Sequence, residues 1–302
     1  MARTTTTLPA PDPATRVPCP YQGADTAVCP VHAPTATRML IWAGPSQLDG
    51  APIIVLATGV PASAKRGARS ANVKTGDMVQ TYILRADVNP VAALRLGVDV
   101  SICGICPHKS KTAGGSGACY VNVGQGPNSA WKAHQHTGSM PLDLERLRGL
   151  KIRFGSYGDP GAVPAHVWQS LADVAAGVTG YTHQWQSDRL ADAGFNTAGA
   201  DRALAQWCMA SADTPAEGRM ARRLGYRSFI VRAPGTTVPK GAVVCPASAE
   251  AGKRTVCATC MSCGGNGNGR RQDVTIIAHG STASAFTPSA PLVGRSLPLA
   301  VA

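Results

Sequence analysis

Charge and aromatic side chains are scarce in this chain of 302 residues, which is only 15% Asp, Glu, Lys or Arg and 5% Phe, Trp or Tyr. That composition argues against a coiled coil or an all-helical bundle. Long apolar runs are missing too: the nearest, 51–62, is broken by Gly and Pro and falls short of the roughly 20 residues of a membrane span. The opening stretch, MARTTTTLPAPDPATR, lacks the apolar core of a secretory signal, so the expected setting is the cytoplasm, with no membrane partner. No Walker loop, G-x-S-x-G elbow or H-E-x-x-H sequence occurs, which removes the ordinary NTPase, hydrolase-elbow and zincin readings.

Glycine, proline and cysteine are plentiful. The 33 Gly and 23 Pro predict many turns and short elements, and a 44% hydrophobic fraction is enough for a real core. Lys and Arg outnumber Asp and Glu by 29 to 17, a net +12 that favours polyanions or anionic small molecules without choosing between them. Ten cysteines in a chain read as intracellular point to metal ligands or catalytic thiols rather than disulfides, and seven of them form two tight groups.

Residues 1–71, rich in Thr, Pro and Ala and without a sustained period, are expected to form an irregular arm carrying Cys19, Cys29 and His32, too few ligands for a closed site. Order is expected from residue 72, with a strand over 78–84 and a short helix over 90–96. Seven further short runs read as strands: 98–102, 151–156, 178–183, 204–210, 227–232, 242–245 and 274–278. Helices are expected over 164–176, where Val167, Leu171 and Val174 share a face, and over 215–224 after an Asp-Thr-Pro start. The alternation predicts an α/β fold, a full or partial β/α (TIM-like) barrel. Its core would span 72–244, a Cys-rich metal segment 245–280 would complete it, and 281–302 would be a weakly ordered tail. A doubly wound open sheet is the alternative.

The first cysteine group is Cys103, Cys106 and, beyond a glycine-rich loop, Cys119, following a predicted strand where α/β folds gather ligands. Three thiolates leave a tetrahedral zinc or a cubane cluster one open position. With His108 as a fourth ligand the site is instead a closed structural zinc. The second group, Cys245, Cys257, Cys260 and Cys263, packs four thiolates into nineteen residues, with Gly264, Gly265, Gly267 and Gly269 for the turns. Thiolates suit zinc and iron–sulfur alike. Cys208, inside an apolar run, reads as core.

Polar residues at strand ends form the next layer. Ser156, Tyr157 and Asp159 are candidates to hold a cofactor, with a capped turn before the helix at Pro164 as the plainer reading. Tyr181, His183, Gln184 and Trp185 suit a pocket lining or half-buried packing. Ser211 and Asp213 are cofactor candidates or the cap of the helix at Pro215, and His279 a pocket or cap residue. Arg219, Arg222, Arg223, Arg270 and Arg271 fit phosphate contacts or solvated faces.

Taken together, the motifs Cys103-Gly-Ile-Cys106 with Cys119-Tyr120, Gly155-Ser-Tyr-Gly-Asp-Pro160, Gly180-Tyr-Thr-His-Gln-Trp185 and the Cys-rich tail resemble a family of bacteriophage proteins over roughly 72–280. A phage origin implies the host cell cytoplasm. By architecture the chain is also similar to radical S-adenosylmethionine (SAM) enzymes. That resemblance implies a [4Fe-4S] cluster on Cys103, Cys106 and Cys119 whose open iron binds SAM, with Tyr120 near adenine and Ser156 and Asp159 at the methionine portion. It implies an auxiliary cluster on Cys245, Cys257, Cys260 and Cys263. An external electron donor would drive cleavage of SAM to a 5′-deoxyadenosyl radical, and Tyr120, Ser156, Asp159, His183 and Gln184 are the catalytic candidates. The spacing C-x2-C-x12-C departs from the usual C-x3-C-x2-C.

The leading expectation is therefore an iron–sulfur enzyme acting on an unknown small-molecule or nucleic-acid substrate. The alternative is a zinc-stabilised protein that binds or modifies nucleic acid through its basic surface. A metal-organised scaffold without catalysis is the third.

Overall fold

A computed structural model describes residues 38–61, 72–267 and 269–288. Cys19, Cys29 and His32 lie outside them. Strands β1 (Arg38–Pro45) and β2 (Pro52–Thr58) pair antiparallel, and β3 (Val79–Arg85) adds antiparallel to β2. From β3 onward every pairing is parallel, through β4 (Lys151–Tyr157), β5 (Gly177–Thr182), β6 (Met209–Ala212), β7 (Ser228–Arg232), β8 (Ala242–Val244) and β9 (Asp273–Ile277). The nine strands form one sheet in the order β1-β2-β3-β4-β5-β6-β7-β9-β8.

The protein is thus a mixed α/β structure with a mostly parallel sheet. The sheet does not close, so a full barrel is corrected: β1 and β8 are its two edges. Nor does the order double back from a central strand as in a doubly wound sheet; it reverses only at the last step, where β9 lies between β7 and β8. It advances almost strand by strand, and same-handed crossovers then put the helices on one face. Alternation along β4 makes this concrete. Ile152 and Phe154 are fully buried, with the Phe154 ring 4.7 Å from that of Trp168 on α5, whereas Arg153 and Tyr157 turn toward a cavity on the opposite face.

The helices are α1 (Pro90–Leu96), α2 (Val100–Cys103), α3 (Gly126–Thr137), α4 (Leu144–Leu147), α5 (Ala165–Val174), α6 (Ser187–Asp192), α7 (Pro215–Arg223) and α8 (Cys257–Cys260). Their ends follow local chemistry. Asn89 caps α1 through its side chain, with Pro90 in the first turn and Gly97 at φ +73° closing it. Thr214, not Ser211 or Asp213, supplies the side-chain cap of α7, by accepting from the Glu217 N–H.

Several expectations are corrected. Residues 38–45 and 52–58, expected within an irregular arm, form β1 and β2, and β2 is buried at five successive positions. A strand covered on both faces reads as a continuous apolar run and shows no period. In the run 98–102 no strand forms: residues 100–102 belong to α2 and Asp99 precedes it, because so short a run does not separate strand from helix. Residues 204–206 lie in a 3-10 turn, and the strand expected over 204–210 begins only at Met209. Within the expected tail, Ala283–Ala285 form a 3-10 turn, and Phe286 packs against His108 with ring centroids 5.3 Å apart. Among the described residues, no helix is long and apolar enough to cross a membrane.

Helix α3 buries His134, whose Nδ1 lies 2.9 Å from the Ser139 hydroxyl, and burial pulls its pKa down to about 4. The unfolded imidazole takes its proton near pH 6.5 and the folded one does not, so stability is full above 6.5 and falls as pH drops toward 4. The loss from this group is at most about 3 kcal/mol. Urea unfolding across that window should show the wild type losing its advantage over His134→Gln; a pH-independent gap would refute the assignment.

Candidate functional site

The first three candidate thiols sit on the long connection between β3 and β4. Cys103 ends α2, and Gly104, at φ +51°, packs its backbone directly on the Gln184 side chain. Gln184 clamps this turn: its Oε1 accepts from the Ile105 N–H at 3.1 Å, and its Nε2 donates to the Cys103 carbonyl at 2.9 Å. The chain then loops out and returns, with Ser116 N–H on the Pro107 carbonyl and Cys119 N–H on the His108 carbonyl, which brings Cys119 back beside Cys106. Burial pushes all three thiols up, Cys103 well above the usual range, and the neighbouring sulfurs add to the shift at Cys103 and Cys106.

The second set comes from the crossover between β8 and β9. Cys245 closes β8 with its N–H on the Thr275 carbonyl. Helix α8 is anchored from outside its own segment: Cys257 and Ala258 donate to the carbonyls of Lys74 and Thr75, and Lys151 Nζ donates to the Ala258 carbonyl at 2.6 Å. Met261, left-handed at φ +50°, reverses the chain into Cys263, which is buried against Tyr181 and whose thiol is pushed up to about 12 by that burial. Gly265 must be glycine, since a Cβ there would lie 2.6 Å from the Ala205 carbonyl oxygen.

All seven cysteines line one cavity of about 770 Å³ over the inner face of the sheet, with Cys103 near the C-terminal ends of β4 and β5 and α8 beside the N-terminal ends of β3 and β4. The described cysteines are all free. No three of these sulfurs lie within 4.8 Å of one another. Sulfurs around a single zinc are roughly 3.8 Å apart, whereas a cubane holds each thiolate on a different iron and spaces them more widely.

Positive charge enters the same cavity. Arg153 is 6% exposed, donates to the Tyr120 hydroxyl at 3.0 Å, and lies 4.9 Å from the centre of the Tyr181 ring. Burial works against its charge, but Tyr120, Tyr181 and Cys257 outweigh it and raise the pKa. Among the described residues, it has no carboxylate within ion-pair distance. Lys74 Nζ sits 3.0 Å from His279 Nε2; burial lowers its pKa, and Cys245 and Cys257 oppose that. Neither cation was singled out from the sequence. The signal for Arg153 was its charge at an inward position of an apolar strand.

The remaining candidates divide by position. Tyr120, Ser156, Tyr157, Asp159, His183 and Ser211 line the cavity. Tyr120 stacks on His279 at 5.6 Å, and Ser156 donates to Gln80 Oε1 at 2.6 Å. Tyr157 Oη, Thr179 Oγ1 and His183 Nε2 are buried there without a hydrogen-bond partner, groups that a bound ligand would satisfy. Asp159 is saturated, accepting from Gly161 N–H, Thr182 Oγ1, His183 N–H and Gln184 Nε2, so its observed role is the capped turn. Gln184 lies beneath the wall, and Asp213 sits behind His108, with the His108 Nε2 at 2.8 Å. Trp185 is core, donating to the Ser211 carbonyl, and Cys208 is fully buried before β6. Of the arginines, Arg222 pairs with Asp273 at 2.6 Å and Arg270 touches the Cys260 carbonyl.

No family model, curated protein or solved structure matches this chain.

The turn after β4 is also sterically fixed. Gly158 has φ +78°, and a Cβ there would lie 2.6 Å from the Ile83 Cβ. Gly158→Ala should cost roughly 1–3 kcal/mol or more in chemical denaturation. An unchanged midpoint would show that the turn relaxes freely.

Proposed function

We propose that the chain is an iron–sulfur enzyme of radical-SAM type on a partial β/α barrel. One observation carries this reading: two cysteine sets more than a hundred residues apart line the same cavity over one face of a sequentially ordered, mostly parallel sheet. Helices on one face and the cavity on the other support the partial barrel. Cys103, Cys106 and Cys119 would hold the cluster that keeps an open iron, and Cys245, Cys257, Cys260 and Cys263 an auxiliary cluster. The donor sets fit: seven cysteines line the cavity, and Cys103, Cys106, Cys119, Cys245 and Cys263, which burial disfavours as free thiolates, gain most from metal cations.

Cys103, Cys106 and Cys119 would hold a cluster that, once reduced by an external electron donor, would supply the electron for SAM cleavage. The chain does the rest. Ser156 and Tyr157 present hydroxyls at the end of β4, Tyr120 offers a ring for adenine, and Asp159 and Gln184 fix the loops that carry Cys103 and His183. Arg153 and Lys74 offset thiolate charge and favour an anionic group in the cavity. The volume, about 770 Å³, lies within the range of cofactor and substrate pockets.

Protein purified without oxygen should contain about eight irons with matching sulfide and absorb in the visible. Cys103→Ala and Cys263→Ala should each remove about half of that iron, and the reduced wild type should convert SAM to 5′-deoxyadenosine. Colourless protein containing only zinc, with binding to nucleic acid that weakens steeply in salt, would replace this reading with the zinc alternative.

A further inference from the structure

We propose that His108, His183 and Asp213 form a separate, sulfur-free site for one divalent transition-metal ion beside the first cysteine set. Among the described residues this is the only group of three His, Cys, Asp or Glu side chains whose ligand atoms all lie within 4.8 Å of one another. The three come from different parts of the chain: the loop after Cys106, the end of β5 and the end of β6. Their convergence is therefore a product of the fold and not of local sequence.

The distances suit an ion. Ligands on a sphere of about 2.1 Å radius stand roughly 3–3.5 Å apart, and His108 Nε2 already lies 2.8 Å from Asp213 Oδ1. Small side-chain rotations bring the third ligand in. An independent observation points to the same place: His183 is half-buried, and its Nε2 atom, itself buried, has no hydrogen-bond partner. A buried imidazole nitrogen without a partner is rare in folded proteins, and a metal ion satisfies it. His183 and Asp213 also border a second cavity of about 10 Å³, the space of one water-sized sphere.

The surroundings hold these ligands in place. The His183 backbone N–H donates to Asp159 at 2.7 Å, and the Asp213 N–H donates to Glu217 at 2.8 Å. Glu217 is itself fixed by Arg189 at 3.1 Å. Outer hydrogen bonds of this kind set ligand orientation in metal sites. Phe286 packs on the His108 ring and screens it. Two imidazoles and one carboxylate are borderline ligands that suit Zn(II), Fe(II) or Mn(II), and three protein ligands leave positions open. Both histidines line the large cavity, so an open position there is available to a substrate oxygen or nitrogen. The site uses no cysteine and does not depend on the iron–sulfur reading.

Mn(II) titration of the full-length protein, followed by the electron paramagnetic resonance signal of free Mn(II), tests it, because thiolates compete poorly for that ion. One Mn(II) should bind per chain, and Zn(II) should displace it. His183→Ala should abolish binding, and Asp213→Asn, which preserves shape, should weaken it at least tenfold, with iron content and thermal unfolding as in the wild type. No binding by the wild type, or equal binding in both variants, would overturn the proposal. Normal Mn(II) binding in protein that takes up no iron would instead sink the cluster reading and leave this site standing.

Discussion

One buried carboxylate organises the cavity. Asp159 accepts four hydrogen bonds, from its own turn at Gly161, from the hydroxyl and the backbone at the end of β5, and from Gln184, while its own N–H donates to the Ile102 carbonyl. Burial raises the pKa of such a group, and each of these donors works against the rise. A carboxylate stripped of water must fill its lone pairs from the protein, so the ends of β4 and β5 and the turn at Cys103 are placed by one requirement. The catalytic-looking residue of the Gly-Ser-Tyr-Gly-Asp-Pro motif is in this sense the positioning residue, and Gln184 is its extension toward the sulfurs.

The cavity mixes buried thiols with cationic side chains. Burial favours the neutral forms of Cys103, Cys106, Cys119, Cys245 and Cys263, while Arg153 and Lys74 stand among the cysteines without a carboxylate partner among the described residues. Burial alone disfavours both cations, and at Arg153 the neighbouring Tyr120, Tyr181 and Cys257 outweigh it. The same cations become favourable once the thiols are thiolates on metal, because a four-thiolate centre carries excess negative charge.

What was legible in the sequence follows from the range of the signal. Helix α1 was found because Asn89, Pro90 and Gly97 are local punctuation, and β4, β5, β7 and β9 because their apolar runs stand between turn residues. The two cysteine groups were legible as spacing, but their meeting on one cavity was not, since it depends on the strand order. Strand β2 was hidden because burial on both faces erases alternation, and α3 because its residues, including Lys132, Gln135 and His136, carry little apolar period. The pairing of His108 with Asp213 joins residues 105 apart, and no local pattern announces it.

The late strand order explains why the second cysteine set exists where it does. Strand β9 enters between β7 and β8, leaving β8 as a three-residue edge paired to β9 alone. A parallel crossover usually secures such an edge by burying an apolar helix against the sheet. Here the connection holds only the four-residue α8, and the small local core of six buried residues counts Cys245 and Cys263 among its members. Hydrophobic burial on that scale stabilises little. Under the iron–sulfur reading, thiolates from both ends of the crossover, tied to one inorganic centre, would do what the missing helix does elsewhere, and the second centre would be a structural clamp for the sheet edge as well as a wall of the cavity.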